Sequence, residues 1–126
     1  ITWYGNQELT SHIWSNLIDN AIKFTPAGGE ITIKASMDEE WLTVSVQDSG
    51  IGIPPDIQSR VFDKFYQGDT SHKKKGNGLG LALVHQIVTL YGGHITLESI
   101  PDLGSTFTVC LPAHPSSELE SSLPLP

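Results

Sequence analysis

The sequence predicts an α+β fold, a two-layer sandwich in which helices cover one face of a mixed, mostly antiparallel sheet. Three observations carry that expectation. The stretch from about Gln7 to Phe24 repeats apolar residues at helical spacing. Two pairs of short alternating runs, one before residue 48 and one after residue 94, read as hairpins. Between the pairs lies a second apolar helical segment.

Taken in order, Ile1-Thr2-Trp3-Tyr4 reads as the end of a strand that begins upstream, the start expected of an excised domain. In the first helix Ile13, Leu17, Ala21 and Phe24 form an apolar arc. Asn16, Asn20 and Lys23 share the adjoining face at i, i+4 and i+7. The punctuators Thr25-Pro26-Ala27-Gly28-Gly29 stop it. From Glu30 to Ser36, Ile31, Ile33 and Ala35 alternate with Thr32, Lys34 and Ser36; after Asp38-Glu39-Glu40, Leu42, Val44 and Val46 alternate with Thr43, Ser45 and Gln47. That pattern predicts a hairpin with one face buried. Pro54 and Pro55 break it, and a short helix is predicted from about Asp56 to Val61.

Gln67 to Asn77 carries almost no apolar residue and reads as a mobile loop. Leu79 to Tyr91 returns to helix, with Leu81, Val84, Val88 and Tyr91 in one stripe. Leu79, Leu83 and Leu90 make its other side apolar too, which predicts a helix buried between layers and ended by Gly92-Gly93. A last hairpin pairs Ile95–Ser99 with Thr106–Leu111 across Pro101-Asp102-Leu103-Gly104. Residues 1–112 thus form one domain, and the Pro-, Ser- and Glu-rich stretch 113–126 reads as a disordered tail.

The bulk properties narrow the function. A net charge of −7 over 126 residues argues against non-specific nucleic-acid binding. One cysteine, Cys110, forms no internal disulfide and points to a reducing compartment. No apolar run has the length of a membrane span, so the chain itself is not expected to contact a membrane.

Three segments carry chemistry. Asn16-Leu17-Ile18-Asp19-Asn20-Ala21-Ile22-Lys23 comes first, then Asp48-Ser49-Gly50-Ile51-Gly52-Ile53-Pro54, then Gly76-Asn77-Gly78-Leu79-Gly80-Leu81. In that order they resemble the N box, first glycine box and second glycine box of the sensor histidine kinase ATP-binding domain. Phe62-Asp63-Lys64-Phe65-Tyr66 resembles its F box, and the resemblance runs from about Leu9 to Pro112. It implies the Bergerat ATP-binding fold, shared with DNA gyrase, MutL and heat-shock chaperones, with ATP and Mg²⁺ as ligands.

Chemistry supplies a role for each segment. A carboxylate at Asp48 accepts a hydrogen bond from the exocyclic amine of adenine, where guanine presents a carbonyl. Gly50 and Gly52 let backbone approach the base, although Asp-Ser-Gly is also an ordinary turn after a strand. Asn20 is the candidate Mg²⁺ ligand through its amide oxygen, with Asn16 one turn away as support and Lys23 as a charge for phosphate. The same three residues fit a solvated polar helix face, but Asn within a helix is locally costly and asks for compensation. Gly76, Gly78 and Gly80 precede a helix, where backbone N–H groups bind phosphate. The run Lys73-Lys74-Lys75 fits either phosphate attraction or simple solvation.

By the resemblance, Ile53, Leu79, Leu81 and Tyr66 join the nucleotide-binding set, and Thr106 on the final strand lines the pocket. Phe62, Phe65 and Tyr66 also read as packing at the base of a lid, and Lys64 stands where many relatives have Arg. The hydrolysing branch of the fold carries a glutamate at the place of Asn16, and an amide is no general base near neutral pH. The resemblance therefore implies phosphoryl transfer to a histidine rather than hydrolysis, with Asn16, Asn20 and Lys23 as the catalytic set. None of His12, His72, His85, His94 and His114 has the expected acceptor context, so the acceptor is expected on a separate dimerisation domain of the same kinase. A response regulator would be the onward partner, ADP the product, and the setting the cytoplasmic part of a bacterial membrane-anchored sensor kinase. Two other readings stay open: a nucleotide-binding scaffold in a degenerate kinase, and an ATP-hydrolysing clamp or chaperone.

Overall fold

Helix α1 (Gln7–Phe24) starts at Asn6, whose side chain accepts from the Leu9 N–H at 2.9 Å and so satisfies one of the free donors of the first turn. It stops at Thr25, as the Thr-Pro-Ala-Gly-Gly sequence demands. Leu9, Ile13, Leu17 and Ala21, each four residues from the next, are buried. Removing a side chain such as Ile13 or Leu17 from water stabilises the fold by about 1.5–3 kcal/mol. The structure, a computed structural model, describes residues 2–62 and 81–115.

Within those residues the elements after α1 are β1 (Ile31–Met37), β2 (Trp41–Asp48), α2 (Pro55–Gln58), α3 (Ala82–Leu90), β3 (His94–Ile100) and β4 (Gly104–Pro112). The strands form one sheet in the order β1-β2-β4-β3, and all three pairings are antiparallel. Both predicted hairpins are present. The covered face carries Leu42, Val46, Phe107, Val109 and Leu111, which pack with Val84, Ile87 and Val88 of α3 and the stripe of α1. The other face carries Thr43, Ser45, Thr96, Thr106 and Thr108, as strand alternation requires. This is the α+β sandwich expected from the sequence.

Several local expectations need correction. Residues 2–4 form no strand; Trp3 is tied down by its side chain, which donates to the Pro112 carbonyl at 2.8 Å and meets Tyr91 edge-on at 5.5 Å. The expected buried face of β1 is largely open, with Ile33 51% exposed. The reason is topological: β1 is an edge strand, and α1 packs on β2 and α3. Helix α2 is shorter than expected, ending at Gln58.

Nor is α3 buried between layers. Val84, Ile87 and Val88 face the core, whereas His85, Gln86 and Thr89 are exposed, because a two-layer sandwich offers a helix one apolar side. Its end follows the sequence closely. Gly92, at φ 81°, donates to Thr89 and Gly93 donates to Val88, the paired bonds that close a helix through a left-handed glycine. Order continues past Pro112: Ala113 is buried and its N–H donates to Glu40. The predicted loop at 67–77 and residues 116–126 of the predicted tail lie outside the described residues.

Candidate nucleotide site

The last two turns of α1 and the C-terminal end of β2 meet through the backbone. The Ile51 N–H donates to the Phe24 carbonyl at 3.1 Å, which fixes the loop after β2 against the end of α1. Gly50 is the contact point. A Cβ there would collide with the Phe24 carbonyl oxygen, so only glycine allows this approach. Gly52 stands at φ 72°, and a Cβ on it would strike the Ile100 carbonyl. Both glycines thus serve close packing of the loop against protein backbone.

Asp48 is the final residue of β2 and is buried, yet it is not a structural pair to any described cation. Its Oδ1 accepts the Gly50 N–H at 2.9 Å, and no described residue donates to Oδ2. A carboxylate held in this way keeps one acceptor oxygen for an incoming donor. Ser49 links the loop to the start of β1: its N–H donates to the Glu30 carbonyl and its hydroxyl accepts the Glu30 N–H at 2.8 Å.

On α1, Asn20 is buried, Asn16 is half-buried and Lys23 is exposed in the last turn. Asn16 donates from Nδ2 to the His12 carbonyl at 2.8 Å, which leaves its Oδ1 as the end directed away from that bond. Ile53 and Leu81 are buried among the core residues. Tyr66, Gly76, Gly78, Leu79 and Gly80 lie outside the described residues, as do Lys64 and Lys73-Lys74-Lys75.

Thr106 stands one position along β4 from the register partner of Asp48. It pairs with Gln47 in the β2–β4 register and therefore leaves the sheet on the face opposite Asp48. Ser105 pairs with Asp48 and shares its face. The sequence contains a signal for this. Asp48, Ser99 and Ser105 are polar residues at inward positions of their strands, continuing the apolar parities of Leu42-Val44-Val46, Ile95-Leu97 and Phe107-Val109-Leu111. Three inward polar groups thus gather at one end of three adjacent strands. A groove of about 590 Å³ lined by Trp3, Tyr4, Trp14 and Leu42 lies at the other end of β2 and contains none of the predicted residues.

Residues 5–115 match the family described as histidine kinase-, DNA gyrase B-, and HSP90-like ATPase. The chain belongs to this family. Among curated relatives, it is 49% identical over 113 residues to the circadian input-output histidine kinase CikA of Thermosynechococcus vestitus, covering 88% of this chain and 16% of that protein. It is 41% identical over 111 residues to the sensor histidine kinase WalK of Bacillus subtilis, covering 85% of this chain and 18% of the relative. Among solved structures, the mycobacterial sensor histidine kinase MprB superposes with a TM-score of 0.75 at 28% identity, over 90% of this chain and 78% of that one. Full-length ShkA, solved in complex with AMPPNP, gives 0.71 at 33% identity over 86% of this chain and 22% of its own. The chain is thus a histidine kinase-type ATPase domain, and it spans less than a fifth of the length of the two curated kinases, CikA and WalK. No helix among the described residues is long and apolar enough to cross a membrane.

Proposed function

We propose that this domain, residues 1–112, binds Mg-ATP and passes the γ-phosphoryl group to a histidine on a separate dimerisation domain of the same sensor kinase. The observation that carries the reading is Asp48: a buried carboxylate fixed through Oδ1, with Oδ2 left to receive the amine of adenine. Family membership and the likeness to a kinase solved with AMPPNP support it.

The donor set fits the metal. A divalent cation here would rest on the Asn20 amide oxygen, a hard donor, and on phosphate oxygens. Mg²⁺ would suit that set because it needs only one or two protein oxygen ligands. When bound, it neutralises charge on the phosphates. Asn20 would hold it, Asn16 would support the Asn20 side, and Lys23 would add a positive charge at the end of the helix. Asn16 offers no base to activate water, so bound nucleotide awaits a nucleophile from elsewhere. Phosphate then moves on to a response regulator, and ADP leaves. We place this chemistry on the cytoplasmic side of a membrane-anchored bacterial kinase.

Calorimetric titration of the chain with ATP and with GTP, each with and without Mg²⁺, tests the reading. Binding of ATP and not GTP, weakened without Mg²⁺, is expected. Equal binding of both nucleotides, or none, would overturn it. Phosphorylation of an added dimerisation domain by the chain and labelled ATP tests the transfer step.

A further inference from the structure

The loop from Ser49 to Pro54 belongs to no strand or helix, so its backbone groups need partners from elsewhere. At Ile53 those partners are side chains. The Ile53 N–H donates to the Ser99 hydroxyl at 2.8 Å, and the Ile53 carbonyl accepts from Gln58 Nε2 at 2.7 Å. Gln58 reaches further, to the Ser99 carbonyl at 3.2 Å. Ser99 in turn lies 3.0 Å from the Gly104 carbonyl and 2.8 Å from the Ser105 hydroxyl. With the Ser99 proton on Gly104, Ser105 donates to Ser99, and the Ser99 hydroxyl and both Ile53 backbone groups are matched. A further bond, from the Asp102 N–H to the Ile51 carbonyl at 2.7 Å, ties the same loop to the β3–β4 turn.

We infer that Ser99 and Gln58 are positioning residues for nucleotide binding: together they clamp the loop that follows Asp48 and set where it meets the base. The inference rests on the Mg-ATP reading above. It assigns function to two residues that lie on β3 and α2, outside the segments that carry the nucleotide chemistry in the sequence. Without the Ser99 hydroxyl the Ile53 N–H loses its partner, and the loop can recover one only by moving. Such movement changes the base end of the site and leaves the metal end on α1 in place.

Three substitutions separate this from general destabilisation. Ser99→Val and Ser99→Thr have the same shape and differ by the hydroxyl, and both suit a strand. Thr96→Val removes a hydroxyl from the outer face of the same strand. Titration of the 126-residue chain with Mg-ATP is expected to show about tenfold weaker binding for Ser99→Val, with Ser99→Thr and Thr96→Val within about twofold of the unsubstituted chain. The ratio of affinities with and without Mg²⁺ should be unchanged in all. Unaltered binding in Ser99→Val, or equal loss in Ser99→Thr, would overturn the inference. Should Ser99→Val fail to fold, Gln58→Leu decides, since it removes the second arm of the clamp and leaves Ser99 intact. Loss of about fivefold or more supports the clamp and unchanged affinity overturns it. Failure of the Mg-ATP reading shows separately, as an unsubstituted chain that binds no ATP, and the clamp falls with it.

Discussion

Asp48 and Ser105 are register partners across β2 and β4, so their side chains leave the same face of the sheet, and Thr106 leaves the other. That relation turns a one-residue choice into a measurable one. Ser105→Ala should weaken ATP binding by about tenfold, through loss of a hydroxyl on the same face as Asp48, the carboxylate proposed to receive adenine. Thr106→Ala should stay within about twofold, since its side chain lies across the sheet. Calorimetry on the two variants decides; a larger loss in Thr106→Ala would return that residue to the site.

Asp48→Asn tests the carboxylate itself. The Gly50 N–H holds Oδ1 at 2.9 Å, so the asparagine oxygen would remain there and its NH₂ would take the place of Oδ2. A donor would then face the donor amine of adenine. ATP affinity should fall by more than about tenfold, since hydrogen bonds to charged groups contribute about 1.5–3 kcal/mol. The circular dichroism of the variant should match that of the parent, because the loop bond survives. Undiminished ATP binding would remove Asp48 from base recognition.

Much of this was legible in the residues. The bounds of α1 follow from its apolar spacing and the Thr-Pro-Ala-Gly-Gly run that stops it. What was not legible required neighbours. Ile31 and Ile33 have the alternation of a half-buried strand, and only the strand order shows that β1 is at the edge. Ser99 lies 46 residues from Ile53, whose N–H it holds, and Gln58, only 5 residues away, acts through a side-chain direction that no sequence pattern marks. The face that Thr106 leaves depends on pairing register, which a motif does not encode.

The edge position of β1 has its own energetic consequence. Ile33 and Val46 are cross-strand partners, 51% and 2% exposed. Val46→Ala should cost about 2 kcal/mol, from lost burial and the space left behind. Ile33→Ala should cost well under that, within about 1 kcal/mol, because half of its side chain is already in water. Urea unfolding of both variants measures the difference. Equal losses would mean that β1 is covered in the folded chain.

The β1–β2 turn carries a pH-dependent contact. Asp38 Oδ1 accepts the N–H groups of Glu40 and Trp41, each at 2.8 Å. The two bonds, that from Trp41 the larger, hold this carboxyl below the usual carboxylate range. A lowered folded-state value means that the contribution is complete above the unfolded carboxyl value and is lost as pH falls through the folded one. Amide exchange at Glu40 and Trp41, corrected for intrinsic rates, should therefore become less protected as the solution is acidified through that range, while the amides of α1 remain protected. In Asp38→Ala the protection at both amides should be absent at neutral pH and show no such step. A step that persisted in that variant would assign the effect to another carboxyl.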